Sequence, residues 1–209
     1  MNPISETLRQ HYSRKFDLHG ASSEGVDWGS NEAKVLLRYD KMLAVLETEP
    51  AKPTLLDVGC GYGGLLRYAT EQKIELEYTG IDVSENMIEW ARANQTAGTF
   101  IPGDFIDHDF ATPFDYVVCN GILTQKLDTT NLDMDQFAAQ LIKKMFSLCK
   151  VGIAFNVMTT KVNYFSNNLY YRNPAELFSW CLSEISSHIR LDHSYPLFEY
   201  TLYIYREPL

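Results

Sequence analysis

The sequence is poor in basic residues and has no long apolar run, and each absence excludes a class of partner. Lys and Arg together number 18 against 27 Asp and Glu, which gives a formal net charge of -9. A chain with this charge repels a polyanion unless it has a local basic patch. We find no such patch, so we expect no nucleic-acid partner. No apolar stretch approaches the length of a membrane span, so we expect no membrane partner.

Cysteines are few and widely spaced. The chain has four, Cys60, Cys119, Cys149 and Cys181, and none forms a C-x-x-C pair, so we predict no metal site. Residues 1–6 lack the basic and apolar segments of a secretory signal. The sequence therefore predicts a cytoplasmic protein with free thiols, and we expect a monomer or a homodimer.

The sequence does contain a regular alternation of strand and helix patterns. Its 209 residues are 45% apolar, which suffices for one domain with a sizeable core. Between residues 54 and 158 the two patterns alternate five times, which predicts an α/β fold with a doubly wound parallel sheet. The last two strand patterns are joined by a short loop and are therefore antiparallel. We predict a seven-stranded, mostly parallel sheet with an antiparallel last strand.

The predicted elements have these bounds. Strands are predicted over residues 54–58, 77–83, 99–102, 114–121, 151–158, 187–193 and 198–206. Helices are predicted over residues 4–16, from Ser30 or Asn31 to before Pro50, and over 63–72, 84–94 with Ser84 as N-cap, 132–150 and 174–185. We expect residues 1–50 to form a helical lid or substrate cap across the carboxyl edge of the sheet, and residues 51–209 to form the main domain.

One stretch, residues 54–64, carries the strongest functional signal. It runs from an apolar strand through Asp57 into a glycine-rich turn and a helix start. The spacing of Gly59, Gly61 and Gly64 satisfies the dinucleotide pattern G-x-G-x-x-G. A pyrophosphate is unfavourable beside the Asp57 carboxylate, whereas a ligand with a sulfonium and an ammonium group is favourable there.

The stretch resembles motif I of the class I S-adenosylmethionine (SAM)-dependent methyltransferases, in which an acid is followed by alternating glycines. The resemblance covers about residues 50–209. It implies a Rossmann-like fold and an in-line methyl transfer from SAM to an acceptor, with S-adenosylhomocysteine (SAH) as product. The antiparallel last strand favours this family, because nicotinamide-binding sheets are normally all parallel. Two alternatives stay open: an NAD-dependent oxidoreductase and a non-catalytic SAM-binding regulator.

Residues at the ends of the predicted strands are the candidates for cofactor binding, because ligands of open α/β sheets bind beyond the carboxyl ends. Asp82, 18 residues after Gly64, is suited to accept hydrogen bonds from both ribose hydroxyls. The resemblance implies that Asp104 and Phe105 meet adenine and that the loop at Asn120 passes the methionine moiety. The predicted cofactor-binding set is Asp57, Gly59, Cys60, Gly61, Asp82, Val83, Met87, Asp104, Phe105, Asn120 and Gly121.

The acceptor is predicted less directly. Asn120-Gly121-Ile122-Leu123 is not the Asn/Asp-Pro-Pro-aromatic signature of enzymes that methylate flipped bases, which favours a small-molecule acceptor. His193 lies at the turn of the final hairpin and is our candidate general base, although a lone histidine is often structural. We predict that the acceptor pocket is lined by Tyr12, Trp28, Tyr170 and Arg172.

Overall fold

The computed structural model describes residues 1–46, 51–95 and 97–208, and a central sheet organises them. The strands are β1 (Thr54–Val58), β2 (Glu77–Asp82), β3 (Thr99–Pro102), β4 (Phe114–Cys119), β5 (Cys149–Thr159), β6 (Tyr171–Arg172), β7 (His188–Asp192) and β8 (Glu199–Tyr205). Their spatial order is β3-β2-β1-β4-β5-β8-β7, and the two-residue β6 pairs with β5 outside this path.

The direction of the strands confirms the predicted sheet. β1 to β5 pair in parallel, whereas β8 runs antiparallel to both β5 and β7. The short β6 was not predicted, because two residues are too few to give a strand pattern. The parallel ladder brings the carboxyl ends of β1, β2, β3 and β4 to one edge of the sheet.

Six α-helices accompany the sheet in the described part of the chain. Their bounds are α1 (Pro3–His19), α2 (Glu32–Leu43), α3 (Gly64–Glu71), α4 (Glu85–Asn94), α5 (Asn131–Leu148) and α6 (Pro174–Glu184). Asn31 caps α2, as one of the two predicted alternatives, and accepts the Lys34 N–H at 3.2 Å. α2 ends at Leu43, and residues 47–49 of the predicted second helix lie outside the described residues.

Two hydrophobic cores cover the two faces of the sheet, and β1 shows how its residues divide between them. Successive side chains of a strand point to opposite faces. Leu56 and Val58 belong to the core packed by α5, whereas Leu55 belongs to the core that α2 and α3 cover. Asp57 lies on the same face as Leu55 and is only 2% exposed. The strand pattern therefore carries a carboxylate into the sheet's interior near its carboxyl edge.

Helix α1 crosses the carboxyl edge of the sheet. The Ser13 hydroxyl lies 2.9 Å from the Ser84 hydroxyl at the start of α4, and Asn86 Nδ2 donates to the Ser13 carbonyl. At the other end, the Asn2 N–H donates to Asp104 Oδ2 at 2.8 Å. The helix is thereby attached beyond the ends of β2 and β3. α2 has a different place, because it packs on the sheet's helical layer beside α3.

A buried ion pair connects α2 with the start of β8. The Arg38 guanidinium donates three hydrogen bonds to both oxygens of Glu199, at 3.0 to 3.1 Å. Glu199 is 1% exposed and also accepts from Asn156 Nδ2. Asn156 Oδ1 in turn accepts the Gly121 N–H at 2.8 Å. This network fixes the loop after β4 against α2.

We expect Glu199→Gln to lower the free energy of unfolding by about 3 kcal/mol, because it leaves the Arg38 charge buried without its counter-charge. Urea denaturation measures the change. The matched control is Glu184→Gln, which breaks the exposed Lys143–Glu184 pair at 3.0 Å and should cost less than about 1 kcal/mol. Equal losses in the two variants would contradict this account of the network.

Candidate functional site

A cavity lies at the carboxyl edge of the sheet, where its empty volume, including the part open to solvent, is about 910 Å³. Ligand pockets in proteins commonly fall in this range. Its floor comes from the loops that follow β1, β2, β3 and β4, and its outer wall from α1 and the loop before α2. The outer wall contributes Ser5, Leu8, Tyr12, Val26 and Trp28.

The structure brings together all eleven residues of the predicted cofactor-binding set around this cavity. Tyr12 and Trp28 of the predicted acceptor pocket line it as well. Tyr170, Arg172 and His193 do not. The individual roles stay predictions, but the sequence placed the cofactor residues at one edge of one sheet.

The glycine-rich turn adopts a backbone that other residues would strain. Gly59 and Gly61 have φ of 76° and 54°, in the left-handed region. A Cβ on Gly59 would lie 2.7 Å from Ile122 Cδ1, so a side chain there would push the loop after β4 away. The turn leads directly into α3 at Gly64 and keeps the strand ends close together.

Asp57 is a buried carboxyl at the cavity wall. The Tyr78 hydroxyl donates to its Oδ2 at 2.6 Å. Burial raises the pKa of Asp57 to about 7, the Tyr78 hydrogen bond opposes that rise, and the charge of Asp82 adds to it. The folded protein thus holds an acid whose charged form is unfavourable until a cation lies near it.

Asp82 is fixed by two backbone donors. Its Oδ1 accepts the Ser84 N–H and its Oδ2 accepts the Gly61 N–H, both at 2.8 Å. Burial raises its pKa, and these two hydrogen bonds oppose the rise. Each oxygen keeps a further lone pair, so the carboxylate can accept two more donors.

Ser84 is the N-cap residue of α4, as predicted, but its hydroxyl makes no capping hydrogen bond. The hydroxyl instead contacts Ser13 and Asn86, and Asp82 accepts the Ser84 N–H. Asp82 therefore has a structural partner at the helix start as well as a face toward the cavity.

Asp104 is held by the N-terminal segment. Its Oδ2 accepts the Asn2 N–H at 2.8 Å and its Oδ1 accepts the Ile106 N–H at 3.0 Å. Phe105 beside it is 4% exposed, and Lys144 Nζ lies 5.4 Å from its ring centre. Asn2 and Lys144 were missed from the sequence, because each reaches this loop from a distant part of the chain.

Asn120 is the least satisfied side chain of the site. It is 8% exposed, and neither its Oδ1 nor its Nδ2 has a hydrogen-bond partner within the described ranges. A buried polar group without a partner costs about 1–3 kcal/mol. Both atoms belong to a cavity wall, so a bound ligand with polar groups would remove this cost. This orphaned amide fits a cofactor with donors and acceptors.

Two of the predicted acceptor residues have structural partners elsewhere. The Tyr170 hydroxyl donates to Asp135 Oδ1 at 2.5 Å, and Arg172 Nη1 donates to Asp135 Oδ2 at 2.7 Å. Both side chains are thereby held against α5, outside the cavity. The Arg172 guanidinium thus pairs with an acid of this chain, Asp135, and does not line the cavity.

His193 also lies outside the cavity. It follows β7, and its ring centre is 5.8 Å from that of Tyr200. Its neighbours around a separate, shallow depression include Lys41, Asp192 and Tyr203. The geometry gives its ring no access to a group in the main cavity, which argues against the predicted role as general base.

The outer wall contains residues that the sequence analysis did not single out. Ser5 and Leu8 precede Tyr12 by seven and four positions, so the three lie on one face of α1. That spacing was visible in the sequence, whereas the place of Val26 in a turn-rich loop was not.

No group of three or more His, Cys, Asp and Glu in residues 1–46, 51–95 and 97–208 could hold a metal ion. In those same ranges, none of the helices has the length and apolar character needed to cross a membrane.

Comparison with known proteins identifies similar sequences. Residues 55–152 match the family model described as "Methyltransferase domain". A relative from Mycobacterium tuberculosis (strain ATCC 25618 / H37Rv), named "Putative methyltransferase Rv1506c", is 31% identical over 156 residues. The match covers 71% of this chain and 90% of the relative.

Solved methyltransferase structures have the same fold. The magnesium protoporphyrin IX methyltransferase ChlM from Synechocystis PCC 6803 with bound SAM matches with a TM-score of 0.67, at 16% identity and over 99% of each chain. The plantazolicin methyltransferase BpumL, in complex with a pentazolic desmethylPZN analog and SAH, has a TM-score of 0.61 at 13% identity, over 98% of this chain and 99% of its own. At these identities the likeness shows the fold alone.

We expect Asp57→Asn to stabilise the ligand-free protein by about 1–3 kcal/mol at pH 8, since one pKa unit corresponds to about 1.4 kcal/mol. With a folded pKa of about 7, above the usual unfolded value near 4, Asp57 makes the folded state bind more protons. Its contribution to stability is therefore present below pH 4 and is lost as the pH rises to about 7. Asparagine does not ionise, so this loss of stability with rising pH disappears, and its side-chain oxygen can still accept the hydrogen bond from Tyr78.

Thermal denaturation between pH 4 and pH 8 measures the effect. Asp115→Asn is the control with the opposite sign, because hydrogen bonds from Thr54 and Lys150 lower the pKa of Asp115. Its contribution is present above the unfolded pKa and is lost as the pH falls, so Asp115→Asn should destabilise the protein at pH 8. An Asp57→Asn variant with an unchanged pH profile would contradict the role of burial.

Proposed function

The chain belongs to the class I SAM-dependent methyltransferases, and from this we propose that it methylates a small-molecule acceptor in the cavity at the strand ends. The family fixes the cofactor as SAM and the product as SAH. The observation that carries the choice of site is the Asn120 amide, which is buried and has no hydrogen-bond partner among the described residues, at the wall of a cavity that three strand-end carboxylates also line.

We infer the parts of the cofactor site from what each residue offers. Asp82 has two free lone pairs for ribose hydroxyls. Asp104 and the Phe105 backbone would meet adenine, and Asp104 Oδ2 would then be shared with the Asn2 N–H. Asp57 and Asn120 would hold the cationic methionine end. Gly59, Cys60, Gly61, Val83, Met87 and Gly121 complete the walls.

SAM supplies a methyl group that its sulfonium centre already activates. What remains for the chain is to align the acceptor and to exclude water. Tyr12 and Trp28 are suited to this, because they form the apolar outer wall opposite the loop after β4. Burial, with the charges of Asp27 and Asp82, raises the pKa of the Tyr12 hydroxyl, so this group can donate a hydrogen bond but cannot act as a base at neutral pH.

The positions of these residues suggest different roles for the N-terminal segment and for the rest of the chain. We propose that residues 1–50 act as a lid and substrate cap over a methyltransferase domain of residues 51–209. The support is that α1 spans the cavity from Asp104 to the Ser84 end. We also propose a cytoplasmic location, since all four cysteines are buried and unpaired, as is usual where thiols stay reduced.

Binding of SAH tests the function directly. A ligand present at 100 times its Kd stabilises the folded state by about 2.7 kcal/mol, so SAH and SAM should raise Tm by several degrees. NAD⁺ at equal concentration should leave Tm unchanged. A shift with NAD⁺ and none with SAM or SAH would overturn the proposed function.

The Asp82 carboxylate tests the site. We expect Asp82→Ala to weaken SAH binding at least tenfold, because each hydrogen bond to a charged group contributes about 1.5–3 kcal/mol. Calorimetry measures the Kd. Glu89→Ala removes one exposed carboxylate from α4, outside the cavity, and should leave the Kd unchanged. An equal effect of both variants would remove Asp82 from the ribose site.

A further inference from the structure

The charges around the cavity are of one sign. Three of the residues that line it are acidic, Asp57, Asp82 and Asp104. Within the described ranges, the lining includes no Lys, Arg or His. SAM carries one net positive charge, which offsets only part of the negative charge of the three carboxylates. No positive charge then remains to attract an anionic acceptor. Like charges repel more strongly in a site partly shielded from water.

The segment from Val26 to Trp28 forms the cavity wall nearest the two loops that are proposed to hold the methionine end. A Cβ on Gly61 would lie 3.5 Å from Val26 Cγ1, and a Cβ on Gly121 would lie 3.1 Å from Trp28 Nε1. This segment therefore marks the acceptor end of the cavity. Asp27, between its two wall residues, points to partners behind the wall.

Asp27 pairs with the Lys15 ammonium behind this wall. Its Oδ1 is 2.8 Å from Lys15 Nζ, and its Oδ2 is 2.9 Å from His11 Nε2. Gln125 Nε2 donates to the same Oδ2 at 3.1 Å. Asp27 has a φ of 59°, unusual for a residue other than glycine, and these contacts hold it there. The Arg38 guanidinium, whose Cζ is 5.2 Å from the centre of the Trp28 ring, is paired with Glu199.

We propose that the acceptor end binds an uncharged, largely apolar acceptor, and that Asp27 sets this selectivity by pairing with the Lys15 ammonium behind the wall. The proposal rests on the proposed function and specifies its substrate class. Without Asp27, the Lys15 ammonium would lack its counter-charge a short distance behind Val26 and Trp28, and an anionic group in the cavity would be attracted.

The test uses two probes of nearly equal shape, 4-hydroxyphenylacetamide and 4-hydroxyphenylacetate, titrated into the protein saturated with SAH. Ligand-observed NMR gives the Kd of each probe. We expect the amide to bind at least tenfold more tightly than the carboxylate. Saturation with SAH is established first by calorimetry. Absence of SAH binding would overturn the proposed function itself. Normal SAH binding, with a carboxylate that binds as tightly as the amide or more tightly, would overturn only this inference.

Variants test the role of Asp27. Asp27→Asn should reduce the preference for the amide at least threefold, because asparagine tolerates the left-handed backbone but leaves the Lys15 charge unpaired. Glu89→Gln makes the same change of net charge on the exposed face of α4 and should leave the preference unchanged. Lys15→Gln, which removes the cation instead, should increase the preference and serves if Asp27→Asn fails to fold.

Several results would overturn the inference. The first is a carboxylate that binds the parent protein as tightly as the amide, and the second is a failure of both probes to bind the SAH complex. The third is a preference that Asp27→Asn leaves unchanged or that Glu89→Gln alters equally. The last is a decrease of the preference in Lys15→Gln.

Discussion

The carboxylate of Asp82 is the contact on which the site's geometry depends. It accepts one N–H from the glycine-rich turn after β1 and one from the start of α4, both at 2.8 Å. Parallel pairing places the ends of β1 and β2 side by side, but it does not fix the loops beyond them. Two charge-assisted hydrogen bonds to one group do so, and they hold the acid in place without a cation.

Two side chains at the same edge of the sheet make folding less favourable in the absence of a ligand. Asp57 is buried with a raised pKa, and the Asn120 amide has no partner in the described part of the chain. Both features oppose folding, and both would be relieved by a ligand with a cationic and a polar end. The opposition of stability and function at one site is a common feature of binding proteins. It explains why polar residues stand where a purely structural sheet would have apolar ones.

The residues of the proposed cofactor site could be identified from the sequence, and the physical reason is local. Asp57, Asp82 and Asn120 each lie at the end of a strand, so the strand patterns alone bring them to one edge. Contacts between distant residues were not readable. Asp104 meets Asn2 from 102 positions away, and Glu199 meets Arg38 from 161. No sequence pattern in either segment predicts which distant residue it contacts.

The predictions for Arg172 and His193 differ from the structure for the same reason, because contacts between distant residues set the positions of these side chains. Arg172 was assigned to the pocket as a cation near aromatic residues, but its position depends on Asp135 of α5. His193 was assigned from its place at a turn, which fixes neither the direction of the turn nor the distance to the cavity. Side chains on loops are placed by tertiary contacts, and these contacts do not follow from periodicity.

The two sides of the cavity come from different parts of the chain, so the proposed cofactor site and the proposed acceptor wall depend on different segments. The family match spans residues 55–152 and includes the three acids that line the cavity, Asp57, Asp82 and Asp104. The outer wall, with Tyr12, Val26 and Trp28, precedes it. The Arg38–Glu199–Asn156–Gly121 network joins the two sides, and hydrogen bonds from Asn2 to Asp104, from Gln125 to Asp27 and between Ser13 and Ser84 join them as well. The side chains of Tyr12 and Trp28 take part in none of these hydrogen bonds. Substitutions at these two residues would therefore change the proposed acceptor wall without breaking the hydrogen bonds that hold Asp82 and Asp104.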